Sequence, residues 1–175
     1  ETSTSDSNVQ GGYVRAAIRM MEPTTGTNSK TLYGNMFTAM DVGKDKGNGG
    51  QSSLVMAEAY RYLTGGPARS GNNKAKADYI GNTAADWSNS ASTAASKAAM
   101  QAIYRLSGNA LSSKSATTYS APNGGSTCSK RFIIYLSNGP SQDSSSIIAD
   151  ATAMLREAGG DTTTIKLPIA GSQDN

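Results

Sequence analysis

The chain has 175 residues, of which 37% are hydrophobic and 17% charged, and its formal net charge is +3. This length corresponds to one domain, and so low a net charge is not typical of a disordered chain. The sequence has no His and one Cys, Cys128, which excludes Ser-His-Asp and Cys-His catalysis, His-ligated zinc and an internal disulfide framework. No Lys/Arg cluster indicates a nucleic-acid partner, and no apolar run approaches the ~20 residues of a membrane span.

The N-terminal part predicts a strand followed by a helix. Residues 13–20 alternate between apolar and mostly polar positions, which predicts a half-exposed edge strand. Its predicted inward face carries Val14, Ala16, Ile18 and Met20. A helix capped by Asn28 or Ser29 follows, because apolar residues recur at helical spacing from Leu32 to Met40.

Three further helices are expected, over residues 52–63, 91–106 and 145–158. The first of these ends at Gly65-Gly66-Pro67, a strong stop signal. Two long polar stretches, 68–90 and 107–130, interrupt the elements and are predicted to be insertions.

The C-terminal third predicts a parallel β-α-β unit. Residues 131–136, RFIIYL, form a compact apolar run typical of a strand buried on both faces, and 163–167 predict a second strand after the helix. A right-handed crossover that pairs the two strands in parallel is the usual arrangement of such a unit. The expected fold class is therefore α/β, a mostly parallel sheet with helices on both faces.

The loop after strand 131–136 carries oxygen-bearing side chains, among them Asn138 and Asp143. Ligands bind at the carboxyl ends of parallel strands, and Mg²⁺ and Ca²⁺ take oxygen ligands. The alternative is that Asn138 forms a turn and Asp143 caps the next helix.

A second candidate is the glycine-rich loop at residues 47–50, which precedes Ser52 and Ser53 at the start of a helix. Backbone N–H groups at such a helix start can hold an anion, but no phosphate-loop Gly-Lys-Ser/Thr follows. The alternative is a turn with a serine cap.

Five segments in order give the chain a family resemblance: GGYVRAAIRMM, NGGQSSLVMAEAYRYLTGG, SGNNKAKADYIGN, CSKRFIIYLSNGPSQDSS and LREAGGDTTTIKLPIAGSQDN. Together they resemble the von Willebrand factor A-like domain of the PilC/PilY family of type IV pilus tip-associated proteins. The resemblance spans nearly the whole chain, and AEAYRYLTGG and FIIYLSNGPSQD are its most specific parts.

The resemblance implies a Rossmann-like sheet with a metal-ion-dependent adhesion site. Its ligands in this chain would be Ser52 or Ser53, Asn138 in place of the family's Asp, and Asp143. The family's Asp-x-Ser-x-Ser motif and the strand before it are absent, so the resemblance is to a domain that is incomplete at its N-terminus. With one carboxylate left, we expect no bound cofactor in this chain, whereas Mg²⁺ or Ca²⁺ would suit the complete domain.

The resemblance further implies an extracellular binding module, exported through the periplasm, that contributes to adhesion or pilus assembly and is not an enzyme. Pilus subunits, a host or surface ligand, or other parts of a longer protein would be its partners. The alternative is a structural subunit or decoration of an extracellular filament. Cys128 is expected to form a disulfide with a partner outside this chain. The buried strand 131–136, lacking a neighbour, is expected to drive pairing with another chain.

Overall fold

A computed structural model describes residues 2–3, 11–22, 28–41, 51–69, 77–84, 93–122, 130–136 and 140–163. Two short strands come first in the chain, and four helices follow. The elements are β1 (Thr2–Ser3), β2 (Gly11–Gly12), α1 (Ser29–Thr38), α2 (Ser52–Thr64), α3 (Ala94–Tyr104) and α4 (Ser145–Glu157).

The predicted mostly parallel α/β sheet is wrong. Within the described residues, the strands β1 and β2 form a single antiparallel pair, with Thr2 opposite Gly12 and Ser3 opposite Gly11. The remaining regular structure is helical, so this part of the chain is helix-rich and has no Rossmann-like sheet. Cys128 and Asn138 lie outside the described residues, as does the predicted strand 163–167 beyond Thr163.

All four helices lie close to their predicted positions because their end signals are local. The side chain of Asn28 caps α1 by accepting from the N–H of Thr31 at 3.1 Å, and Thr93 caps α3 in the same way. Gly65 ends α2 with φ of 72°, a left-handed conformation that glycine adopts without strain. No described helix is long and apolar enough to cross a membrane.

Most of the buried apolar residues that the structure describes form three clusters. In one, α1 packs against α3 through Met36, Met100, Ile103 and Tyr104. In the second, α2 packs against α4 through Leu54, Ala57, Ala151 and Met154. The third joins α2 to the irregular segments through Ala17, Tyr62, Ala77, Tyr79, Ala110, Leu111 and Tyr119. Helix α2 therefore packs against another helix where the sequence predicted a sheet.

The predicted edge strand over residues 13–20 is also wrong, and its alternating faces are reversed. Tyr13, Arg15 and Ala17 are buried, whereas Ile18 and Met20 are exposed. Two N–H groups that a strand would give to a neighbour bind side chains, since Ala17 donates to the Asp78 carboxylate and Ile18 to the Tyr62 hydroxyl, both at 2.7 Å.

The fully buried carboxylate of Asp78 explains this reversal. Besides the N–H of Ala17, it accepts hydrogen bonds from the Arg19 guanidinium at 2.9 and 3.2 Å and from the side-chain amide of Asn109 at 2.7 Å. Burial alone would lower the pKa of Arg19, but hydrogen bonding and attraction to Asp78 raise it above its ordinary value, so the guanidinium stays charged. The odd-numbered face turns inward because it carries this cation.

The described parts of the two polar stretches contribute to the core. Asp78 lies in the first stretch and Asn109 in the second. Isolated bridges join Tyr79 to Leu111 and Pro67 to Thr118. These residues belong to no helix or strand, but several of them are buried. Both stretches therefore help to hold the domain together.

The apolar run 131–136 is not a buried strand. Within the described chain it pairs with no other segment, and from Phe132 to Leu136 its side chains are exposed. A sheet interior requires neighbours that pair with the backbone and helices that cover both faces. The apolar composition favours burial of the segment, but it does not indicate whether a neighbouring strand is present to pair with it.

We expect Asp78→Asn to destabilise the fold by about 3–5 kcal/mol, because it leaves the buried Arg19 guanidinium without its countercharge. Urea denaturation measures the loss. The matched control is Glu22→Gln, which makes the same change in the exposed pair with Lys30 and should cost less than about 1 kcal/mol. Equal, small losses in both variants would contradict the role given to Asp78.

Candidate functional site

The candidate site is a polar cluster at the N-terminus of α2. Asp143 Oδ2 accepts a hydrogen bond from the backbone N–H of Ser53 at 2.8 Å and another from the Ser53 hydroxyl. The Ser141 hydroxyl donates to the same oxygen at 2.8 Å. One carboxylate oxygen therefore joins two segments that lie 90 residues apart in the chain.

Asp143 is a helix cap, but of a different helix from the one that the sequence suggested. The side chain of Ser144 caps the following helix, α4, by accepting from the N–H of Ile147. Helix α2 has Gln51 at its N-cap position, without a side-chain cap of its own. Asp143, which is 90 residues away in the chain, caps α2 instead. Its negative charge lies at the N-terminus of the helix, where the helix dipole stabilises it.

Ser52 lies beside this pair and bonds to the hydroxyl of Tyr135 at 2.8 Å. Of the predicted ligands, the structure thus places Ser52, Ser53 and Asp143 around the first turn of α2. Tyr135 and Ser141 join the cluster without having been predicted. The Ser-x-Asp spacing of the loop could have suggested Ser141, whereas Tyr135 was assigned to a buried strand and no local signal contradicted this.

The two carboxylate oxygens of Asp143 differ in environment. Burial alone would raise the pKa of Asp143, but the hydrogen bonds from the Ser53 hydroxyl, the Ser53 N–H and the Ser141 hydroxyl together lower it below the ordinary 3.8. The other oxygen, Oδ1, is buried and accepts no hydrogen bond from the described chain. A buried acceptor without a donor costs free energy, and the three bonds to Oδ2 offset this cost.

This geometry suits binding better than proton transfer. The Ser53 hydroxyl donates to Asp143, which is the arrangement of a nucleophile beside a base. A general base works best with a pKa near the operating pH, however, and the pKa of Asp143 is shifted in the opposite direction. The hydrogen bonds from Ser53 orient the serine and make the Asp143 carboxylate a weaker base than a free one.

The donors around Asp143 do not fit a tightly held divalent cation. Among the described residues the cluster has one carboxylate, and three hydrogen bonds already engage its Oδ2 atom. In the described ranges no group of three or more acidic, Cys or His side chains converges. Mg²⁺ gives up its water reluctantly, and one carboxylate with serine hydroxyls offers little charge in exchange.

A second buried acid, Glu58, has a structural role. Its Oε1 accepts from the N–H of Arg69 at 3.0 Å and from the hydroxyl of Tyr119. Burial and the nearby Glu58 charge raise the pKa of Tyr119 far above its ordinary value, so this phenol remains a donor. The helical pattern of α2 does not distinguish this buried acid from a solvent-exposed one.

A pocket of about 360 Å³ lies between α2 and α4. Two ion pairs line it, Arg61 with Glu157 at 2.7 Å and Arg69 with Asp150 at 2.8 Å. Because each cation is paired with an acid, the pocket does not present a concentrated charge to a ligand. We therefore place the candidate site at the Asp143 cluster.

No protein-family model, curated protein or solved structure matches the chain.

We expect Asp143→Ala to lower the free energy of unfolding by about 1 kcal/mol at neutral pH, the scale of a lost helix cap. The native state lowers the pKa of Asp143, so this stabilisation is present above the ordinary value of 3.8 and is lost as the pH falls through the folded-state pKa. Urea denaturation of wild type and variant over a pH series measures the difference.

The matched control is Asp161→Ala. Asp161 also accepts an N–H and a hydroxyl on one oxygen, but both come from Thr163, within the same turn. Its loss should cost less than that of Asp143, because the two bonds described for it join residues of a single turn. A difference between wild type and Asp143→Ala that stays constant into strong acid would contradict the ionised cap.

Proposed function

We propose that the chain is an extracellular binding module of a type IV pilus tip-associated protein, contributing to adhesion or pilus assembly. The Asp143 cluster at the start of α2 carries the proposal. It brings together side chains from the two loops in which the resemblance to the PilC/PilY family implies ligand contacts. The module acts at a secreted or cell-surface location, and its partner is a pilus subunit or a surface ligand.

The chemistry of the cluster supports recognition through hydrogen bonds. Ser52 and Tyr135 supply hydroxyls, and Asp143 holds the first turn of α2 beside them through its bonds to the N–H and the hydroxyl of Ser53. A partner with N–H or O–H donors complements this set. Because the donor set does not fit a tightly held cation, binding should not depend on Mg²⁺ or Ca²⁺.

One observation favours a second candidate, a structural subunit of an extracellular filament. Residues 131–136 expose a continuous apolar segment, and large exposed apolar patches mark contacts between proteins. If the chain is such a subunit, the contacts between subunits lie on that segment, and the Asp143 cluster has only the structural role of capping α2.

The test is binding of purified type IV pili to the immobilised chain, measured by biolayer interferometry. Wild type should bind, and Asp143→Ala should weaken binding about tenfold, because it removes the contact that holds Ser53 and the first turn of α2 beside the loop. Addition of a chelator should leave both results unchanged.

The control for this experiment is Asp161→Ala, which removes an equal charge outside the cluster and should bind as wild type does. Absence of binding by the wild type, or equal binding by Asp143→Ala, would count against the binding module. A loss of binding on chelation would show that a cation takes part.

A further inference from the structure

The segment 131–136 has the two-faced character of a strand without being part of a sheet. Phe132, Ile134 and Leu136 are 83%, 85% and 88% exposed, whereas Ile133 and Tyr135 are each 42% exposed. The alternation follows the period of two of an extended chain. The Tyr135 hydroxyl is bound to Ser52, and the Arg131 guanidinium donates to the carbonyl of Leu63, so the segment is held at both ends.

Its backbone is available for pairing. From Phe132 to Leu136 no backbone N–H or C=O bonds to the described chain. A row of open backbone groups on an exposed apolar segment is a template for another strand. Six residues rich in β-branched and aromatic side chains, without Pro or Gly and with one charge, are typical of segments that pair with their own copies.

The exposed area is of the size that an interface requires. The exposed fractions of the five apolar side chains correspond to roughly 600 Å² per copy, taking about 180 Å² for a large side chain. A standard interface buries about 800 Å² on each partner. Pairing of the two segments buries part of this area, and the surface beside them has to supply the rest of the interface.

Charge decides the direction of pairing between identical segments. In a parallel, in-register pair the two Arg131 side chains would lie opposite each other, which is unfavourable. In an antiparallel pair they lie at opposite ends, roughly 20 Å apart at about 3.4 Å per residue, beyond the ~8 Å screening length of physiological salt.

We propose that residues 131–136 form an interface between two copies of this chain, paired as antiparallel strands about a two-fold axis at Ile134. This register places Ile134 opposite its copy, Ile133 opposite Tyr135 and Phe132 opposite Leu136. All five apolar residues are then matched with apolar residues, and each pair lies on one face. The bond between Tyr135 and Ser52 lies at the side chain and is retained.

The first test is sedimentation velocity over a wide range of concentrations. Wild type should show a concentration-dependent dimer. Ile134→Lys places two like charges at the two-fold axis and should weaken dimerisation at least about 30-fold, the scale of an interface hot spot. The control is Ile80→Lys, the same substitution at a residue 61% exposed elsewhere, which should dimerise as wild type does.

The second test measures the register by disulfide formation in chains in which Cys128 is replaced by Ser. Directly opposite residues have Cα atoms about 4.5–5.5 Å apart, within disulfide range. Ile134→Cys should therefore form an intermolecular disulfide under mild oxidation, and Ile80→Cys should not. Because both positions are exposed, neither substitution should impair folding.

Three results would overturn the proposal. The first is a wild-type chain that remains monomeric at every concentration, even if it binds a strand from a different protein. The second is a dimer that Ile134→Lys leaves intact. The third is equal disulfide formation at positions 134 and 80.

Discussion

The buried ion pair between Asp78 and Arg19 is the constraint on which the rest of the described fold depends. A carboxylate with no exposure requires full hydrogen bonding, and Asp78 obtains it from Ala17, Arg19 and Asn109, in two segments far apart in the chain. One of these bonds uses the backbone N–H of Ala17, which is then not free to pair with a neighbouring strand, and residues 13–20 are held by side chains and not by a sheet. Two polar stretches thereby become part of the core.

The candidate site repeats this principle at the surface. Asp143 reaches across the fold to the first turn of α2, which lacks a side-chain cap of its own, and this fixes Ser52 and Ser53 beside the loop. The same contact lowers the pKa of the carboxylate, which keeps its negative charge at the N-terminus of α2. The neighbouring segment 131–136 differs in character, because its apolar side chains are exposed and the backbone of 132–136 bonds to no described residue. A polar recognition cluster and an apolar pairing segment therefore adjoin, linked through Tyr135.

The helices were predictable because their signals are local, whereas the strands were not because a strand is defined by its partner. Side-chain period, the Asn28 cap and the glycines after α2 placed the helices within a few residues. The apolar run 131–136 gave no sign of whether a neighbour exists. The faces of residues 13–20 were reversed because burial of Arg19 depends on Asp78, 59 residues away. For the site, the sequence indicated Ser53 and Asp143, but the helix that Asp143 caps is decided by tertiary structure.

Amide hydrogen exchange tests whether Asp78 holds the core together while the apolar segment 131–136 stays unpaired at the surface. In dilute solution the amides of Ala17 and Leu111 should exchange slowly, since one donates to the Asp78 carboxylate and the other to the Asp78 carbonyl. The amides of residues 132–136 should exchange at rates near those of an unfolded chain, and should become protected as the concentration rises and copies pair. Protection of residues 132–136 already in the dilute monomer, or rapid exchange at Ala17 and Leu111, would contradict the account.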